Sequence, residues 1–238
     1  MDTDPMNLTD NAGVGRTDIE YLCFGISLVD LGCPPESGGF FMTHTSNKEK
    51  ILTIASGGVC LALGFVLSKL VLFEMPMGGS VTPASCLPII VFGMAFGPVW
   101  AFIVAIIFSL LQLIDGYLMT PFQVLLDYIL GYAMLGLTGF AGLPSAKRVA
   151  ISNPLRRFAS ASLAKAVVFT IIAYVARWFC SVLSGVIFYA EYAPEGMNPW
   201  VYSMTYNGGF LAADLGITLF VMIVMYFILT PKKKSKIA

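Results

Sequence analysis

The sequence predicts an all-α integral membrane protein of six transmembrane helices with both termini in the cytoplasm. Three observations lead there. Of the 238 residues, 57% are hydrophobic and only 12% charged, with a mean hydropathy of +0.81; soluble domains carry about 25% charge. Apolar runs recur along the chain, most near the roughly 20 residues that a helix needs to cross a bilayer. The loops between them alternate in sign. Lys48, Lys50, Lys147, Arg148, Arg156, Arg157 and the lysines of 232–236 fall on one side, whereas Glu74, Asp115, Glu191 and Glu195 fall on the other without any lysine or arginine. An excess of lysine and arginine marks the cytoplasmic side, and an even number of crossings returns the chain to it.

Residues 1–46 read as a polar extension. They open with acids and lack a basic n-region before an apolar one, so they make a poor signal peptide, and CPPESGG at 33–39 is a turn-rich linker. Because MTHTSNKEK makes an ordinary cytoplasmic start directly before the first span, Met42 is the expected natural start. Residues 47–231 form the expected membrane domain and 232–238 a basic cytoplasmic tail. The five cysteines show no paired or metal-type spacing, and the single histidine, His44, lies outside every span, so no metal site is expected.

The first span, 51–73, is rich in small residues along Ala55, Gly58, Cys60 and Ala62. Such surfaces favour close helix approach in lipid, either within the protein or against another membrane subunit. EMPMGGSVTPAS, 74–85, reads as an irregular loop. A short second span, 86–96, meets the third, 99–115, at the tight turn Phe96-Gly97-Pro98. After Asp115-Gly116-Tyr117, the fourth span, 121–143, carries Gln123 and Asp127. Asp127 lies about 9 Å inside the helix start. A carboxylate there marks function by default; the alternative is an acid stabilised by the helix dipole and interfacial water.

The fifth and sixth spans, 159–188 and 200–230, flank a loop rich in aromatics and proline, Tyr189–Trp200. Ser181 and Ser184 lie on the incoming helix, Ser203 and Asn207 on the outgoing one. Ser181 and Asn207 each lie roughly 10–12 Å from the loop, so antiparallel neighbours would carry them at one depth, where polar groups need a partner or a ligand. Arg177 and Asp214 also match in depth, which predicts an ion pair holding these two helices in register.

The residues expected on the outer side are Tyr117, Gln123, Asp127, Tyr128, Ser181, Gly185, Tyr189, Trp200, Tyr202 and Asn207. Aromatic faces attract cations and stack on flat rings. Asp127 can balance a positive charge or accept from a ring amine, Asn207 offers donor and acceptor, and Gly185 lets a ligand approach backbone. Aromatics alone could equally form an interfacial belt. An enzyme is not expected: Ser184-Gly185 has no membrane histidine to serve as base, no paired carboxylates share a substrate, and no phosphate loop is present. Nucleic acid is not an expected partner.

GGSVTPASCLPII (78–90), PFQVLLDY (121–128) with LGLTG (135–139), and LSGVIFYAEYAPEGMNPWVYSMTYNG (183–208) resemble the thiamine-specific substrate-binding component of energy-coupling factor (ECF) transporters. The resemblance covers about 51–230. It implies six helices, an externally open thiamine site, no cofactor, and three kinds of partner besides the bilayer: thiamine, a transmembrane coupling subunit, and two cytoplasmic ATPases. The ligand positions it implies fall on Tyr117, Asp127, Tyr128, Gly185, Tyr189, Tyr202 and Asn207, with Ser181 where the family usually places histidine. The family often has glutamate at Asp127 and tryptophan at Tyr189; the first-loop tryptophan of some members is replaced by Gly78 and Gly79. Its Ala-xxx-Ala docking pattern becomes Ala55-xxx-Val59, with Gly58-xxx-Ala62 as a shifted substitute. The expected function is therefore a substrate-capture subunit of an ATP-driven vitamin importer. The alternatives are the same fold binding a thiamine precursor or analogue, and a stand-alone proton-coupled symporter using Asp127 or Asp214.

Overall fold

The computed structural model of the chain describes residues 46–75, 79–116, 118 and 120–230. The expectations for 1–45 and for the basic tail lie outside these residues.

Helix α1, Asn47–Lys69, buries only a narrow edge, Thr53, Gly57 and Gly64. The two glycines make that edge flat. A Cβ at Gly57 would touch Phe92 and Val104, and one at Gly64 would stand 2.9 Å from the Phe108 ring. The remaining face, with Ile51, Ile54, Val59, Leu63 and Val66, is exposed. The helix ends four residues before the predicted boundary, where two short strands pair antiparallel as a hairpin, β1, Phe73–Glu74, and β2, Ser80–Val81, with Phe73 opposite Val81. The expected irregular loop is thus partly ordered by backbone pairing.

Helix α2, Leu87–Phe96, is apolar on all sides and buried on nearly all of them, as a helix without an amphipathic stripe must be. It is the core around which α1, α3 and α4 pack. Gly97 ends it at φ +89°, and Pro98 starts α3, Pro98–Gln112, which closes in a 3-10 turn, Leu113–Asp115. Only glycine fits at 97: the conformation is left-handed, and a Cβ would strike the Arg148 guanidinium.

Helix α4, Pro121–Ala141, is irregular. Thr120 caps it, its hydroxyl accepting from the Gln123 amide at 3.2 Å. An α-helical turn, Pro121–Val124, passes into a π-helical stretch, Leu125–Leu130, then Gly131–Ala133, then a 3-10 stretch, Met134–Ala141. Gly136 lies under Phe102 and Gly139 against Pro98, which presses the tighter end onto α3. Two short helices follow, α5, Ser145–Val149, and α6, Pro154–Ser160, the second capped by Asn153. The long helices α7, Leu163–Phe188, and α8, Pro199–Leu229, complete the fold. The break at 161–162 separates α6 from α7, where the sequence suggested one span from 159.

Arg157 on α6 is fully buried. Its Nη1 and Nη2 donate to Glu49 Oε1 and Oε2 at 2.5 and 2.8 Å, its Nε to the Ile151 carbonyl at 2.7 Å, and it lies 5.2 Å from the Phe96 ring centre. A bidentate carboxylate and a carbonyl engage each of its three nitrogens, as a guanidinium out of water requires. This clamp ties the start of α1 to the α4–α7 connection. Burial, and then the neighbouring Arg157, lower the proton affinity of Arg148 in the same connection.

Among the described residues, four helices are long and apolar enough to cross a membrane: α1, α4, α7 and α8. The apolar α2 and α3 are shorter.

Candidate functional site

A cavity of about 930 Å³ lies between the end of α1, the hairpin, α4, α7 and α8. Seven of the predicted ligand residues line it: Asp127, Tyr128, Ser181, Gly185, Tyr189, Tyr202 and Asn207. Tyr117 lies outside the described residues. Trp200 does not belong to the wall; it is exposed on the first turn of α8.

The α7–α8 wall is built as the helical rise predicts. Asn207 Nδ2 donates across the helix pair to the Ser181 carbonyl at 3.3 Å, and within α8 to the Ser203 carbonyl at 3.0 Å and Ser203 Oγ at 3.2 Å. The amide nitrogen is thus occupied with holding the wall, while the carbonyl oxygen has no hydrogen-bond partner among the described residues. The structure gives Gly185 a second reason beyond ligand approach. A Cβ there would collide with Ser203 Oγ and sit 3.3 Å from Asn207 Nδ2, so the glycine is what lets α7 and α8 close.

The α4 wall presents Asp127 from the π-helical stretch, a widened turn often found at functional sites. Its Oδ2 accepts from Gln123 Nε2 at 3.1 Å and from Ser184 Oγ, on α7, at 2.7 Å. Tyr128 and Tyr132 follow, ring centres 6.5 Å apart. Opposite, Tyr202, Tyr206 and Phe210 form a stripe one turn apart, with centres 5.9 and 6.0 Å from one to the next. Tyr206 and Phe210 were not anticipated, although their spacing of four after Tyr202 is visible in the sequence and places all three on one helix face. Gly79 packs against both rings, and its amide donates to the Tyr206 hydroxyl at 3.4 Å.

The expected Arg177–Asp214 ion pair does not form. Both residues line the cavity at the predicted depth, but they face different partners. Asp214 accepts from the Tyr174 hydroxyl at 2.8 Å and from Thr82 Oγ1 at 3.0 Å. Arg177 lies over the Tyr132 ring at 3.9 Å and donates to Cys86 Sγ at 3.4 Å. Depth fixes height along a helix but not direction around it, and here Tyr174 on α7 and Thr82, just after β2, hold Asp214 in place of Arg177. Asp214 therefore ties α8 to α7 through Tyr174 and to the segment after β2 through Thr82.

Among the described residues, Lys69 and Arg177 bring two positive groups to the lining, against the three carboxylates of Glu74, Asp127 and Asp214. The formal balance is one negative charge, in a low-dielectric wall where such a charge is felt strongly. With flat rings on two sides, the cavity suits a small aromatic monocation.

Comparison with known proteins agrees in kind. The family model described as thiamine transporter protein (Thia_YuaJ) matches residues 54–236. The chain is 28% identical over 188 residues to the thiamine transporter ThiT of Bacillus subtilis (strain 168), covering 78% of this chain and 94% of that protein. It is 32% identical over 146 residues to the thiamine transporter ThiT of Lacticaseibacillus paracasei, covering 58% of this chain and 69% of that one. A solved structure of ThiT from Listeria monocytogenes superposes with a TM-score of 0.58 at 24% identity, covering 76% of this chain and 94% of that chain; at that identity the likeness speaks for the fold.

Proposed function

Because the chain belongs to the thiamine transporter protein family, we propose that it captures thiamine at the outer face of the membrane for an ATP-driven ECF importer. The chain is a multi-pass membrane transporter protein, not an enzyme. Thiamine is its substrate rather than a cofactor. The proposal adds the site, the topology and the energising partners.

The observation that carries it is the convergence of Asp127, Tyr128, Ser181, Gly185, Tyr189, Tyr202 and Asn207 on one cavity with an excess of negative charge. Thiamine is a monocation made of two flat heterocycles, one bearing an amine. Asp127 answers its charge or its amine, the free carbonyl oxygen of Asn207 can accept from the same exocyclic amine, and Tyr128 and Tyr202 stack on the rings. Ser181, in place of a histidine, offers a hydroxyl without a ring. Tyr117 belongs to the proposed set on the sequence resemblance alone.

In this reading α2 and α3 cross with the four longer helices, both termini are cytoplasmic, and the cavity opens outward, as the sign of the loops requires. The membrane domain is taken as 47–231, with 1–46 a polar extension of the sequence and 232–238 a basic cytoplasmic tail. A coupling subunit docks on α1. Ala55, Gly58, Val59 and Ala62 are all exposed, and nothing beyond the helix's own backbone comes within 4 Å of a Cβ built on Gly58, so among the described residues this small-residue face is left open.

Reconstitution tests the function. Proteoliposomes holding the chain with a coupling subunit and two ATPases take up thiamine only with internal ATP. Uptake by the chain alone under a proton gradient would overturn the reading in favour of a symporter.

A further inference from the structure

Asp127 has two carboxylate oxygens with different surroundings. Oδ2 accepts both the Gln123 Nε2 bond at 3.1 Å and the Ser184 Oγ bond at 2.7 Å. The Ser181 side chain, itself on the cavity wall, is a further hydrogen-bonding neighbour of the carboxylate; the Gln123 and Ser184 bonds both fall on Oδ2, and Asp127 lines the cavity. The two donors differ in position. Gln123 stands one turn earlier on α4 and borders the cavity; Ser184 comes from α7, is completely buried and does not line the cavity. Ser184 therefore cannot touch a ligand, and any effect it has on binding passes through Asp127.

We propose that Ser184, with Gln123, is a positioning residue that fastens Asp127 by Oδ2 and turns Oδ1 into the cavity as a single-point acceptor for the ligand's N–H or cationic group. The inference rests on the proposed site and adds what makes the carboxylate usable. An aspartate rotates about its last bond, and a carboxylate away from water needs donors to stay ionised. Two charge-assisted hydrogen bonds to one oxygen supply both needs. They come from two helices, so the orientation depends on α4 and α7 being packed, and it is set before the ligand arrives. The short aspartate reach suits this arrangement, since Cβ stays near the α4 backbone while Ser184 closes from the facing helix.

The test is a double-mutant cycle on the full chain in detergent, read as thiamine affinity by calorimetry. Ser184→Ala weakens binding about tenfold in the otherwise native chain, the worth of one hydrogen bond to a charged group. In the Asp127→Asn background the same substitution has little effect. Ser184→Thr, which keeps the hydroxyl, restores binding toward the native value. Equal losses from Ser184→Ala in both backgrounds, or a Thr variant that melts like the native chain yet binds like the Ala variant, overturn the inference. Native affinity in Asp127→Asn itself, or no thiamine binding by the native chain, would instead strike at the proposed site.

Discussion

Gly185→Ala adds one methyl group where the α7–α8 wall has no room for it. The new Cβ would overlap Ser203 Oγ and lie 3.0 Å from Ser203 Cβ and 3.3 Å from Asn207 Nδ2. Ser203 cannot step aside without loss, because its Oγ donates to the Val182 carbonyl at 2.9 Å and accepts from Asn207 Nδ2 at 3.2 Å. Either the hydroxyl rotates and gives up both bonds or the helices part. Overpacking of this kind costs about 1–3 kcal/mol. Felt at the pocket wall, that is roughly a 5- to 150-fold loss of thiamine affinity. Calorimetric titration of the detergent-solubilised variant measures it, with the thermal transition recorded alongside. Ser203→Ala added to Gly185→Ala removes the nearest clash but not the 3.0 Å contact, so it restores binding in part. The contrasting control is Gly58→Ala, where nothing lies within 4 Å of the added carbon and thiamine affinity stays native. A Gly185→Ala protein that binds and melts like the native one would refute the account of this wall.

Other expectations follow from the same geometry. Asp127→Asn removes the charge and Asn207→Ala the free carbonyl oxygen, and each weakens thiamine binding at least about tenfold, or about 1.4 kcal/mol; native titration curves for both would remove these assignments. Arg157→Met strands Glu49 beside a buried connection and destabilises the fold by about 3–5 kcal/mol, seen as an early thermal transition. Adding Glu49→Gln recovers part of the loss, and a single variant as stable as the native chain would contradict the clamp. Gly58→Leu abolishes uptake by the reconstituted importer and spares thiamine binding, and unchanged uptake would count against docking on α1.

Much of the site was legible because it depends on short-range arithmetic. Ser181 and Asn207 meet since two helices leave one loop and rise equally, and the contact between Asn207 and the Ser181 carbonyl bears this out. The spans over 86–96, 121–143 and 200–230 come within two residues of the helices found. What escaped depends on direction or on distant partners. Arg177 and Asp214 share a depth but not an azimuth, and nothing local reveals that Thr82 would claim the carboxylate. Arg157 reads from the sequence only as a topogenic charge and nothing there singles out Glu49; they stand 108 residues apart, yet they form a buried pair. The π-helical stretch that carries Asp127 has no local sequence signal; it arises where α4 must serve both α3 and α7. Tyr206 and Phe210 could have been found, since they continue the spacing of Tyr202.

The central claim is that one cavity, with Asp127 as its anchor, takes a small aromatic cation. Its most direct test is a titration of thiamine into the purified native chain and into Asp127→Asn, side by side. The account predicts saturable binding of one thiamine per native chain and at least about tenfold weaker binding by the variant. Absence of saturable binding by the native chain, or indistinguishable affinities for the two proteins, would contradict it.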